Sequence, residues 1–159
     1  MTPYTSIYSS FMDLVIKDDT FFKGHPEEIL ETRMYNLMDK AVTSMYLIPS
    51  RKDFEINFLD IRDDDLKVFN ETLNNIEINL IARFMFQEYI EQDVVQKIKA
   101  LKTLGFSSKE ISSFSPANSL KQFDASFSLL KSENASMLTQ YKNMSRTTLK
   151  RKKFDYQFD

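Results

Sequence analysis

Near the start of the chain, apolar residues recur every three or four positions: Tyr4, Ile7, Tyr8, Phe11, Leu14 and Val15. That spacing makes one apolar face of an α-helix. Thr2-Pro3 ahead of it reads as an N-cap followed by a first helical residue. Asp18-Asp19 ends the pattern. Phe22-Lys23-Gly24-His25-Pro26-Glu27-Glu28 is a turn and a second start, with Pro26 at the first helical position and two glutamates at the positive end of the helix dipole. Leu30, Met34, Leu37, Met38, Ala41 and Met45 carry this second helix to about Tyr46. The two helices are long enough to pair as an antiparallel hairpin, closed at Pro49.

Residues 50–65 lose the helical period. Phe54, Ile56 and Phe58 alternate with Glu55 and Asn57, as in a short strand or an ordered extended loop. Asp63-Asp64-Asp65 then predicts a cap for a short helix from Leu66 to Leu73. Asn74 and Glu77 have the spacing of a capping box. They introduce the most apolar helix, with Ile78, Leu80, Ile81, Phe84, Met85, Tyr89 and Ile90 on more than one face, so it is expected at the centre. Val94, Val95, Ile98 and Leu101 extend or restart it. Gly105 breaks the pattern, and Phe106, Ile111 and Phe114 predict an ordered connection in place of a polar linker. Ser115-Pro116 starts a long helix with a seam of Leu120, Phe123, Phe127, Leu130, Met137, Tyr141 and Met144, in which Asn134 takes an apolar place. The period is gone from Thr147. The expectation is an all-α bundle of about four to five helices over residues 1–146, with a long C-terminal helix, and an extended basic and aromatic arm over residues 147–159.

Composition narrows the chemistry. The 159 residues include no cysteine, a single histidine and two glycines. Disulfides, thiolate metal sites, histidine clusters and glycine-rich phosphate loops are thereby excluded. His25 sits in a turn without the orienting partners that a catalytic triad needs. An EF-hand counted from Asp60 puts Asp65 where the loop requires glycine. No apolar run is long enough to span a membrane. The N-terminal stretch has no base ahead of its apolar residues, unlike a signal peptide. An intracellular, soluble protein with no enzymatic activity, metal or cofactor is expected.

Charge is divided unevenly. The chain has 21 basic and 23 acidic residues. Residues 146–159 hold five basic and two acidic ones, which leaves 16 and 21 for residues 1–145. A net of +3 therefore follows a body of net −5. The segment 53–77 is the most acidic.

Two resemblances bear on function. Leu104-Gly105-Phe106-Ser107 with Glu110-Ile111 resembles the turn-and-helix segment of MerR-type regulators, which implies a helix-turn-helix DNA-binding regulator around residues 92–111. The basic recognition helix of those regulators has no counterpart here, since Asn75 to Ile90 contains Arg83 alone as a base. The wider order gives the leading reading. The Pro3-Tyr4, Ile7-Tyr8 and Phe11 helix, the second helix, the middle segment with Asp and Phe and the central helix precede Ser108, Lys109, Ser115, Ala117, Asn118 and Leu120. Together they resemble the small head–tail connector, or neck and adaptor, proteins of tailed bacteriophages. Glu91-Gln92 and Ser119 depart from that pattern, where those proteins often have an aromatic-ended helix and a histidine. The resemblance implies a virion structural protein at the neck between capsid and tail, made in the host cytoplasm. It implies a homo-oligomeric ring, dodecameric in that family, that sits beneath the portal protein. The ring carries the DNA channel to a downstream tail, stopper or tail-completion protein, and DNA passes without sequence-specific binding. It also implies an arm that docks on the portal or a neighbouring subunit. Arg146, Lys150, Arg151, Lys152, Lys153, Phe154, Tyr156 and Phe158 are its candidate residues. Asp60, Asp63, Asp64 and Asp65 are candidate channel acids, whose repeated negative charge would keep DNA from sticking. The plainer alternative is that these aspartates cap the next helix.

Overall fold

The computed structural model describes residues 1–15, 26–49, 54–95 and 116–152, without the side chains of 93–95 and 116–123. It is an all-α bundle with a minor three-stranded sheet. In chain order the elements are β1 (Thr2–Pro3), α1 (Tyr4–Val15), α2 (Glu27–Leu47), β2 (Arg62–Asp63), β3 (Val68–Phe69), α3 (Asn75–Tyr89), a π-helical turn (Ile90–Val95) and α4 (Pro116–Lys142).

The central place of α3 follows from its sequence. Leu80, Ile81, Ala82, Phe84, Met85 and Tyr89 are all buried, so the helix has apolar surface for several neighbours. Its start is the expected capping box. Asn74 Oδ1 accepts from the Glu77 N–H at 3.0 Å, and Glu77 Oε2 accepts from the Asn74 N–H at 2.7 Å. Both α1 and α2 pack chiefly against α3, and so does α4. The expected hairpin of the first two helices is therefore replaced by a shared centre. Each amphipathic helix gains more by covering α3 than by covering the other, because α3 carries apolar side chains on more than one face. Ile7 and Phe11 of α1, Met38 and Val42 of α2, and Leu138 of α4 complete one core with Phe58 and Phe69.

Two short stretches depart from expectation. Thr2-Pro3 is a strand: Thr2 lies opposite Phe69 and Pro3 opposite Val68, so the first helix begins at Tyr4. Thr2 caps a different segment, since its Oγ1 accepts from the buried Leu73 N–H at 2.8 Å. The predicted helix over 66–73 is instead a β-hairpin, in which β2 and β3 pair antiparallel. Asp63 Oδ1 does accept the Leu66 N–H at 2.9 Å, but the cap opens a turn and no helix. Lys67 closes that turn with φ at 55°, and its carbonyl accepts the Tyr4 N–H at 3.0 Å. Val68 and Phe69 suit a pleated surface, and Phe69 is fully buried beside the Tyr4 ring at 5.1 Å. Phe54, Ile56 and Phe58 lie in bends and turns with no strand, and Phe58 alone of the three is fully buried. Pro26 stands one residue earlier than expected, at the N-cap of α2.

His25, Gly105, Phe106, Ile111 and Phe114 lie outside the described residues, as does 96–111 of the helix-turn-helix candidate. No helix among the described residues is long and apolar enough to cross a membrane.

Candidate functional site

The acidic run and the basic segment after α4 each build a polar cluster, and both clusters tie distant segments together. In the first, the Arg62 side chain is only 6% exposed although it carries a full charge. Its Nη1 donates to Asp39 Oδ1 at 2.7 Å, and its Nη2 donates to the Tyr35 hydroxyl and to Asp64 Oδ1, both at 3.0 Å. Tyr4 donates to the same Asp64 oxygen at 2.7 Å. One guanidinium so joins β2 to α2 and, through Asp64, to α1. An arginine suits this role because its planar fork serves several acceptors at once. Burial and the hydrogen bond to Asp64 push the Tyr4 hydroxyl up to about 12. Burial works against ionisation of Asp64, but the hydrogen bonds from Tyr4 and Arg62 hold its carboxyl below the usual range.

Of the four candidate channel acids, Asp64 is thus spent on Tyr4 and Arg62, and Asp63 caps the Leu66 N–H. Asp60 Oδ2 accepts from Asn57 Nδ2 at 2.7 Å. Asp65 is exposed. The four lie within six residues of sequence, yet Asp60, Asp63 and Asp64 each hold different neighbours.

The second cluster lies where the chain leaves α4. Asn143, Met144 and Ser145 turn the backbone, and residues up to Lys152 fold back against it. Met144 bridges Arg151, the Ser145 N–H donates to the Lys150 carbonyl at 2.8 Å, and the Lys152 N–H donates to the Asn143 carbonyl at 2.7 Å. The segment expected to leave the body at Thr147 therefore continues as a small hairpin through Lys152. Arg146 fastens this hairpin to the start of α3. Its Nε donates to Glu77 Oε1 at 2.7 Å, its Nη1 to Glu71 Oε2 at 2.8 Å and its Nη2 to the Thr72 carbonyl at 2.6 Å. Glu55 takes the hairpin with both oxygens: Oε2 accepts the Arg146 N–H at 2.9 Å and Oε1 pairs with Lys152 Nζ at 3.1 Å.

Glu77 is the fully buried member of this group. The Tyr141 hydroxyl and Arg146 reach Oε1, and the Asn74 N–H and Arg146 Nη2 reach Oε2. A carboxylate offers about four acceptor positions, and all are taken. It therefore holds the surrounding segments together. Burial first, and then the bond to Glu77, push the Tyr141 hydroxyl well up. The hydrogen bond to Glu77 raises Arg146 further above its ordinary value. The Arg146 N–H, more than any other group, draws the Glu55 carboxyl down.

The folded-back hairpin carries two local costs. Leu149 has φ at 53°, in the left-handed region, where a side chain costs about 1–2 kcal/mol. Asn143 Oδ1 is buried with no hydrogen-bond partner among the described residues. Beside the hairpin lies a cleft of about 430 Å³ lined by Glu55, Ile56, Glu71, Thr72, Asn74, Arg146 and Thr147.

Of the candidate docking residues, Arg146 and Lys152 are engaged on this body, whereas Lys150 and Arg151 are exposed. Lys153, Phe154, Tyr156 and Phe158 lie outside the described residues. The sequence pointed to the donors and missed the receivers, Glu55, Glu71 and Glu77. Glu77 was legible as a capping residue, but nothing local announces a second bond to a residue 69 positions away. Comparison with protein-family models, with curated proteins and with solved structures found no match to this chain.

Proposed function

We propose that this protein is a structural subunit of a virion neck, a head–tail connector that forms a ring beneath a portal protein. In this reading the ring continues the DNA channel towards a tail, stopper or tail-completion protein. The reading rests on the ordered sequence resemblance described above. The structural observation in its favour is the anchorage of the segment after α4. Arg146, held by Glu55, Glu71 and Glu77, fixes the hairpin that presents the basic residues Lys150 and Arg151. Exposed Lys150 and Arg151 stand next to that anchor and suit an acidic surface on the portal or on a neighbouring copy. The two polar clusters serve the same end, since they join strands, loops and helices into a body that can bear load.

Gold-labelled antibody against this protein, imaged on intact particles, tests the reading. Label at the junction of head and tail is expected. Label on the capsid, on the tail tip or nowhere on the particle would overturn it. Co-purification of the full chain with the portal protein should weaken when Lys150 and Arg151 are both changed to Glu.

A further inference from the structure

We propose that the hairpin formed by residues 143–152 is exchangeable, so that Arg146 of one copy seats on Glu55, Glu71 and Glu77 of a second copy. The proposal deepens the ring reading by naming both halves of a contact between subunits. Three features carry it. The hairpin is held to the body by charge and hydrogen bonds, through Arg146 and Lys152, whereas Thr147, Thr148, Leu149, Lys150 and Arg151 are exposed. No large apolar surface has to be uncovered for it to leave. The receiving groups belong to a different part of the chain, residues 55–77, so they present the same acceptors whichever copy supplies the guanidinium.

The closed hairpin also holds a cost in the hinge itself, where Asn143 Oδ1 is buried without a partner among the described residues. An opened hinge gives that oxygen to water, while the bonds to Glu55, Glu71 and Glu77 are remade on the second copy. A short hinge that carries such a cost, followed by a segment whose partners can be remade, favours exchange between identical chains. The receiving carboxylates cannot be left empty at low cost, because Glu77 is fully buried and needs its cation. Exchange therefore couples the departure of one copy's hairpin to the arrival of another's.

The test uses the isolated full chain, whose own sequence contains no cysteine. Thr72 and Thr147 line the same cleft and supply none of its charges. One preparation carries Thr72→Cys and a second carries Thr147→Cys, and the two are mixed and joined with a short bis-maleimide. Exchange predicts a mixed product of twice the chain mass, and its loss when Arg146→Glu is added to the Thr147→Cys chain. The double variant Thr72→Cys, Thr147→Cys confirms that the two positions are within reach. If the double variant closes within one chain and the mixture gives no mixed product at any concentration, the exchange is wrong. A mixed product that persists with Arg146→Glu would also overturn it, because the contact would not be this one. Neither result depends on a portal or a particle, so failure here is distinct from failure of the neck assignment.

Discussion

Single polar residues do much of the joining in this protein, and Asn134 shows how. It stands in the apolar seam of α4 and is fully buried. Its Nδ2 donates to Gln87 Oε1 at 3.1 Å and its Oδ1 accepts from Arg83 Nε at 3.0 Å. A polar residue that must meet particular partners sets the register of two helices in a way that leucine cannot. Asn134→Ala should lower stability by about 1–3 kcal/mol, because Gln87 and Arg83 then lose a partner in a water-poor place. Urea unfolding followed by circular dichroism measures this. The polar place in the seam was legible from the sequence. Its partners on α3 were not, since they lie 47 and 51 residues away.

At the scale of elements, Met1 and the segment that follows α4 meet the same short stretch before α3. The Met1 ammonium donates to Thr72 Oγ1 at 3.1 Å, and Arg146 Nη2 donates to the Thr72 carbonyl. The cap of α3 and the anchor of the hairpin share Glu77 but use different partners, Asn74 and Arg146, so mutation of either partner separates them. Asn74→Ala removes the side-chain half of the capping box and should cost about 0.5–2 kcal/mol. Arg146→Ala leaves the buried Glu77 without its cation. Loss of one partner of a buried pair costs about 3–5 kcal/mol, and partial exposure of Arg146 places this case at the lower end. Arg146→Ala should therefore lower the melting temperature more than Asn74→Ala does.

For the whole molecule, the two clusters give stability a dependence on pH at both ends of the scale. Asp64 and Glu55 have folded-state values below the ordinary carboxylate range. Their contribution is present above that range and is lost as the pH falls through the folded values. Tyr4 is raised from 10.0 to about 12. Its contribution is complete below pH 10 and is lost as the pH rises towards 12. Unfolding free energy measured against pH should therefore show a plateau with a fall at each end. Tyr4→Phe should flatten part of the alkaline fall. Glu55→Gln should reduce the acid dependence and change the alkaline limb far less, since its charge is a minor cause of the raised Tyr141.

Local sequence determined the elements whose physics is local. The periodic faces of α1 and α2, the Asn74–Glu77 capping box and the multi-faced apolar surface of α3 were readable, because spacing and capping act within a few residues, whereas in α4 the fully buried apolar residue is Leu138, beside the expected Met137. Tertiary structure decided the rest. Residues 66–73 had a cap at Asp63 and became a hairpin because Thr2-Pro3 was there to pair with Val68-Phe69. The first two helices both turned to α3, since burial is won wherever the largest apolar surface lies. The acids looked like one negative run, yet folding distributed them among Asn57, Leu66, Tyr4 and Arg62. The basic segment was visible as charge, but its receivers are acids some 70 to 90 positions earlier. A charge in a sequence states what it seeks, and only the folded chain brings the partner within reach.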